Sequence, residues 1–240
     1  MKILITGTTS GIGKQLALDY LRDGHTVYCC GRNQSALKAF SGQFPALAQT
    51  LSFDIQSRDD CLQALTGLPQ LDLAILNAGT CEYINAREFD AASFERVVRT
   101  NLIGMANCLQ YIIPNIAKGG CLSLMGSSSS YLPLPRAEAY GASKAATEYL
   151  ARTLAISLKQ QIKVSYIAPG FVETPLTDLN DFPMPMRVDV KFASASIRRG
   201  IARGKSEIHF PKLFTGMLKT LRLLPFALQK RLLARTLAPE

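Results

Sequence analysis

The sequence predicts an α/β protein: one doubly wound domain whose parallel β-sheet is flanked by helices, ending in an amphipathic helical extension. Three features carry this reading. Short apolar runs alternate with longer amphipathic stretches from the first residue onward, and a glycine-rich turn separates the first run from the first amphipathic stretch. No internal repeat of about 20–50 residues and no Pro/Gly/Ser-rich linker divides the chain.

Residues 2–6 read as the first strand and 12–23 as the helix after it. The pairing recurs at 25–30 with 34–44 and at 48–53 with 59–65, and a fourth strand follows at 71–76. Near-continuous apolar strands joined by helices are what a parallel sheet covered on both faces requires. A long helical stretch is expected at 91–117, a strand at 121–125, a helix at 139–159, a strand at 163–168 and a last strand at 207–210. The domain is thus read as 1–210 and the extension as 211–240.

With 240 residues, 48% hydrophobic and 19% charged, the chain can bury a full core, which excludes disorder, a collagen-like chain and a disulfide-stapled miniprotein. The formal charge of +9 is not spread evenly. Residues 1–186 hold 15 basic and 15 acidic side chains, whereas 187–240 hold 12 basic and 3 acidic, so the whole excess lies in the last 54 residues. A uniformly basic surface of the nucleic-acid-binding kind is excluded.

Six cysteines show no CxxC pair, and with only His25 and His209 for company they predict no metal site. Cys29 and Cys30 sit in an apolar run and read as small buried hydrophobes of a reducing compartment. The opening MKILITG turns polar too soon for an export signal, and the longest uncharged runs are broken by Asn, Pro and Ser. A cytoplasmic location is the expectation.

The turn after the first strand is Thr6-Gly7-Thr8-Thr9-Ser10-Gly11-Ile12-Gly13. Gly7 permits the sharp turn, Gly11 lets backbone approach a pyrophosphate, and Gly13 lets the helix pack close to the strand. Thr9, Ser10 and Ile12 complete a loop whose N–H groups, with the helix N-terminus, face an anion. Its place between the first strand and the first helix points to a Rossmann-type dinucleotide site over an ordinary glycine-rich loop. At the end of the second strand, where an acid would hold the ribose hydroxyls of NAD, stands Cys29-Cys30-Gly31-Arg32-Asn33. Arg32 is placed to meet a 2′-phosphate, so NADP(H) is expected over NAD(H), although a solvated residue at a helix start is an alternative reading of it.

Tyr140 and Lys144 are four apart in a helical segment, which puts phenol and ammonium on one face. Composition alone would give about 0.4 such pairs by accident. Their company matters more: Gly126 to Ser130, Asn77-Ala78-Gly79 and Pro169-Gly170 each close a strand, at the carboxyl edge where open parallel sheets bind ligands.

TGTTSGIG, Asp54 after the third strand, NAG, Asn101, a serine 13 residues before a YxxxK pair, and Pro169-Gly170 followed by Thr174 resemble, in this order, the landmarks of the short-chain dehydrogenase/reductase family over about residues 1–180. The resemblance implies hydride transfer between nicotinamide and a carbonyl or alcohol. It implies Tyr140 as general acid or base, Lys144 as the group that binds the nicotinamide ribose and lowers the tyrosine's pKa, and Ser127 as hydrogen-bond partner of the substrate carbonyl. It implies Asn101 as holder of a water that links Lys144 to solvent, Asp54 as adenine contact and Thr174 as carboxamide contact. Ser128, Ser129 and Ser130 stand beside Ser127, and Asn101 can also be read as an interior polar residue satisfying a carbonyl. A non-catalytic NADP(H) sensor or scaffold is the rival reading; a paired phenol and ammonium argue against it. The family's usual GG turn after the last strand is replaced by Glu207-Ile208-His209-Phe210-Pro211, and His209 reads as a packed histidine.

The resemblance also implies that residues from Thr174 to about 200 cover the substrate as a lid; prolines interrupt any helix there, and Phe182, Met184 and Met186 suit an apolar, lipid-like substrate, an ordinary packed loop being the alternative reading. In the extension, Leu213, Phe214, Met217, Leu218, Leu221 and Leu224 fall on one helical face with Lys212, Lys219 and Arg222 opposite. Pro225 ends that helix or starts another, and Lys230, Arg231 and Arg235 follow among leucines up to Leu237. Packing on the domain or on a partner in a homodimer or homotetramer, peripheral attachment to a membrane, and nucleic-acid binding are the three readings; leucine rather than stacking aromatics between the cations speaks against the last.

Overall fold

The computed structural model describes residues 1–178, 180 and 182–234. Seven parallel strands form one sheet in the order β3-β2-β1-β4-β5-β6-β7, with β1 (Lys2–Thr6), β2 (Thr26–Gly31), β3 (Ala48–Ser52), β4 (Leu71–Leu76), β5 (Ile116–Met125), β6 (Lys163–Pro169) and β7 (Glu207–Phe210). The winding reverses between β1 and β4, which opens a crevice at their carboxyl ends.

Alternation within each strand builds two cores. Ile3, Ile5, Cys29, Leu73, Ile75 and Ile167 point to the layer made by α1 (Gly11–Arg22), α2 (Gln34–Gln43) and α7 (Val190–Ala202). Leu4, Cys30, Leu76, Leu122, Leu124 and Tyr166 point to the layer of α3 (Arg58–Leu65), α5 (Gly104–Ile112), α6 (Glu138–Ser157) and α8 (Lys212–Arg222).

The long helix expected at 91–117 is interrupted. α4 (Ala91–Val98) passes into a single π-helical turn, Arg99–Ile103, before α5, and a 3-10 turn at Ile113–Asn115 ends the stretch. β5 begins at Ile116, five residues before the apolar run that announces it, because Ile116 pairs with Leu71 ahead of a register shift. The stretch of 174–200 assigned to the lid ends in α7: Ala193, Ser194, Ile197 and Gly200 bury one face, and Asp189 caps it by accepting a hydrogen bond from Phe192 N at 2.6 Å.

The extension divides in two at Pro225. α8 packs: Phe214 and Leu218 are buried, Phe214 lies 5.5 Å from Phe171, and Lys219 and Arg222 pair with Glu207 and Glu148 at 2.8 Å and 3.0 Å. α9 (Phe226–Ala234) buries no residue, and a cavity of about 580 Å3 separates it from the 129–145 segment. Arg235 and Leu237, part of the second basic stretch, lie outside the described residues.

Candidate active site

The turn between β1 and α1 is fitted against the end of β4. Gly7 has φ +71°, and a Cβ there would lie 2.8 Å from Ala78 Cα; at Gly13 a Cβ would lie 2.2 Å from the Gly7 carbonyl oxygen and 2.4 Å from Asn77 Nδ2. Thr6 locks the pair together, its hydroxyl oxygen accepting from Asn77 N at 3.0 Å and Ala78 N at 3.1 Å, while Asn77 Nδ2 donates to the Thr6 and Gly7 carbonyls. Ser10 begins α1 without a side-chain cap bond, and no acid stands in the first turn, so the helix N-terminus keeps its donors for an anion. Gly11 closes on Thr174, whose Cγ2 would be 3.1 Å from an added Cβ.

A cavity of about 580 Å3 runs along these carboxyl ends and gathers the catalytic and dinucleotide-site residues expected from the sequence except Gly13 and Asn101, while Phe182, Met184 and Met186 of the expected lid do not line it. Gly13 lies behind the turn. Asn101 is fully buried behind Gly79, at which an added Cβ would stand 3.1 Å from Asn101 Oδ1 and 3.5 Å from Lys144 Nζ. At one end of the cavity Arg32, 71% exposed, reaches Asp54 Oδ2 at 3.4 Å, and Gly31 gives the room that lets Thr9 pack against β2. The donor set fits a dinucleotide phosphate chain: backbone N–H groups at a helix start, an exposed guanidinium, and no carboxylate on the end of β2.

At the other end Tyr140, in the first turn of α6, is hydrogen-bonded to the Ser127 hydroxyl. Of the four consecutive serines only Ser127 lines this cavity; its Oγ also accepts from Ser129 N at 3.1 Å, and Ser130 Oγ accepts from Tyr166. Lys144 Nζ donates to the Met125 carbonyl at 2.9 Å and lies 5.6 Å from the Tyr140 ring centroid. Burial pushes the Lys144 ammonium down to about 8. It pushes the Tyr140 phenol above the ordinary tyrosine range, with Cys81 adding to the rise and the Ser127 hydrogen bond opposing it. Desolvation is the largest of the causes acting on the phenol, and the Lys144 ammonium stands at ring distance from it.

Asn101 sits in the π-helical turn, where the slipped helix hydrogen bonds carry its side chain to the β4 loop. Its Oδ1 accepts from Thr80 N at 2.8 Å, and its Nδ2 donates to the Thr80 carbonyl at 2.9 Å and to Ser143 Oγ at 3.0 Å. It thus braces the loop over Lys144 and satisfies a carbonyl in doing so.

Several contributors escaped the sequence. Thr6 was one; Tyr166 is another, its hydroxyl accepting from Ser127 N at 3.2 Å and donating to Ser130 Oγ at 2.9 Å. Glu82 and Arg96, paired at 2.6 Å, border the cavity, and the Cys81 thiol sits beside Tyr140 and Lys144, pushed up to about 11 by burial. His209 lies apart from the cavity, bonded to Thr215 Oγ1 at 2.7 Å and Lys212 Nζ at 3.2 Å. Burial and the Lys219 and Lys212 ammoniums push it down to about 4.

The family model for short chain dehydrogenases matches residues 1–181. The chain belongs to the short-chain dehydrogenase family. An uncharacterized oxidoreductase of Myxococcus xanthus is 32% identical over 218 residues, spanning 87% of this chain and 86% of that one. Serine 3-dehydrogenase of Rhizobium radiobacter is 29% identical over 182 residues, 73% of each. Among solved structures, a short chain dehydrogenase from Burkholderia cenocepacia J2315 in complex with NADP superposes with a TM-score of 0.84 at 22% identity, covering 99% of this chain and 98% of that one. As a short-chain dehydrogenase the protein is an NAD(P)-dependent oxidoreductase with a Rossmann fold.

Proposed function

We propose that this short-chain dehydrogenase uses NADP(H) and reduces an apolar carbonyl compound. The single observation that carries the reading is one cavity with Arg32 at one end and the Tyr140–Ser127 pair, backed by Lys144, at the other. Arg32 is the residue for a 2′-phosphate. The N-terminus of α1, with Thr9 to Ile12, is the place for the pyrophosphate, Asp54 for the adenine end, and Asn77 to Gly79 and Pro169 to Thr174 for the rest of the dinucleotide. Bound there, a nicotinamide supplies the hydride in reduction or accepts it in oxidation.

The protein's own part is proton chemistry. Ser127 orients the substrate carbonyl oxygen by hydrogen bonding. Tyr140, kept protonated at neutral pH by burial, gives its phenolic proton to that oxygen as negative charge develops on it. Lys144, its pKa lowered to about 8 by burial, still carries its proton at pH 7 and stabilises the phenolate left behind. The protonated phenol donates in reduction and its phenolate accepts in oxidation, and reduction is the direction the Tyr140→Phe test reads. Asn101 holds the Thr80 loop against Lys144. An apolar substrate is supported by Val172, Pro175 and Leu176, which line the cavity at the start of the lid; Phe182 lies outside that lining, packed edge-on against Tyr83 with centroids 5.4 Å apart and 6.1 Å from Phe171. Exposed Tyr149 and Ile156 on α6 support assembly as a homodimer or homotetramer, to be read from the mass in solution.

Tyr140→Phe tests the reading. NADPH affinity, measured by its fluorescence, is expected to stay near wild type, while NADPH oxidation over a panel of apolar aldehydes and ketones falls about 10²–10⁴-fold. Unchanged turnover in the variant overturns it.

A further inference from the structure

The two helices of the extension differ in what they hide. α8 sinks Phe214, Thr215 and Leu218 into the core, whereas α9 buries nothing and spans a cavity. Large apolar side chains are left in water within a short stretch: Leu223 is 84% exposed, Phe226 66%, Leu228 48% and Leu232 42%. Leu228 and Leu232 stand one turn apart on the face of α9 opposite Phe226, Lys230 and Leu233, which border the cavity. Packing on the chain's own domain accounts for α8 and not for this face.

Its charge selects the partner. Between residues 208 and 239 there are six Lys and Arg and no Asp or Glu. Lys219 and Arg222 are paired with Glu207 and Glu148, but Lys212, Lys230 and Arg231 have no carboxylate partner among the described residues. A second copy meeting this face across a two-fold axis would set cations against cations. An anionic lipid leaflet offers the opposite charge together with an interfacial zone that accepts Leu and Phe. Among the described residues no helix is long and apolar enough to cross a membrane, so the contact is a surface one.

We propose that the 223–225 turn and α9 form a docking surface for an anionic membrane leaflet, with Leu223, Leu228 and Leu232 entering the headgroup region and Arg231, exposed on the flank of that face, lying on its phosphates. The proposal is independent of the substrate and of the cofactor preference.

The experiment is co-sedimentation of the full chain with vesicles of phosphatidylcholine alone and of phosphatidylcholine with about 30% phosphatidylglycerol. At least about tenfold more protein is expected on the anionic vesicles, and most of it is released when salt rises from about 0.1 M to about 0.5 M. Leu223→Asp with Leu232→Asp is expected to lose at least about tenfold in binding while melting temperature and NADPH affinity stay at wild type. Arg231→Glu, exposed and outside the cavity lining, makes the same test by charge if the first pair does not fold. Equal binding to both vesicle types, or wild-type sedimentation of a folded variant, overturns the proposal. So does a variant that changes the oligomeric mass without changing vesicle binding, which assigns the face to a second copy.

Discussion

The Lys144 ammonium donates a 2.9 Å hydrogen bond to the Met125 carbonyl, tying the first half of α6 to the last residue of β5. The group is 3% exposed and pays for its position in solvation, its pKa falling to about 8 from an ordinary 10.5. An unfolded chain holds that proton more tightly than the folded one, so burial of Lys144 opposes folding below pH 8, and the penalty fades as pH rises from about 8 to about 10.5. Lys144→Met is expected to abolish reduction yet to raise unfolding stability at pH 7 by about 1–3 kcal/mol, with the Met125 carbonyl left unpartnered setting the lower end. Denaturant unfolding should show the gap to wild type narrowing near pH 9.5. A variant less stable than wild type at pH 7 would show that the hydrogen bond outweighs the buried charge.

Gly13 touches two parts of the phosphate turn at once. An alanine Cβ would stand 2.2 Å from the Gly7 carbonyl oxygen and 2.4 Å from Asn77 Nδ2, and the first of these is backbone that cannot swing away. Gly13→Ala is therefore expected to cost about 1–3 kcal/mol of stability and to weaken NADPH binding by at least about tenfold, read by thermal melting and fluorescence titration. Gly42→Ala, where an added Cβ meets nothing, is the control expected to be neutral or slightly stabilising.

Among the described residues that line the cavity, Arg32 is the cation paired with Asp54, and its 3.4 Å contact is mostly exposed, so little folding energy rests on it. Its removal should then read out in cofactor choice. Arg32→Asp is expected to lower the NADPH over NADH preference in kcat/KM by about 10–100-fold, the worth of a hydrogen bond to a charged group, with no change in melting temperature. An unaltered ratio removes Arg32 from the 2′-phosphate site.

Much of this was legible in the sequence, and what was not has physical reasons. Buried parallel strands show as apolar runs, so β4 and β7 begin and end where the pattern places them, and glycines that meet backbone sit in an ordered motif. The start of β5 was hidden because Lys118, Gly119 and Gly120 break its apolar run, while α7 was hidden behind a proline-rich segment that reads as one lid. The π-helical turn leaves no mark on periodicity, since a slipped hydrogen bond is a property of the backbone. Tyr140 and Lys144 are legible through their spacing together with the strand-end residues around them, whereas the desolvation of the phenol depends on everything packed around it. Thr6 and Tyr166 act on residues 71 and 39 positions away, and a single sequence carries no sign of such partners.

Tyr166 makes the sharpest test of that hidden layer. Its ring occupies the space beside Gly126, where an added Cβ would lie 2.1 Å from the phenolic oxygen, and its hydroxyl accepts from Ser127 N at 3.2 Å while donating to Ser130 Oγ at 2.9 Å. Burial pushes this phenol up to about 12, so it stays a neutral donor throughout the working pH range and is no acid or base for the reaction. Its role is to hold the serine turn so that Ser127 Oγ meets Tyr140. Tyr166→Phe keeps the ring and deletes the clamp; it is expected to cost about 1–3 kcal/mol of stability through the unsatisfied Ser127 N–H. It should lower kcat by about tenfold, with NADPH affinity unchanged and the pH profile of kcat keeping its shape. A loss confined to stability, with kcat at wild type, would make Tyr166 a core residue and leave Ser127 positioned by Ser129 N alone.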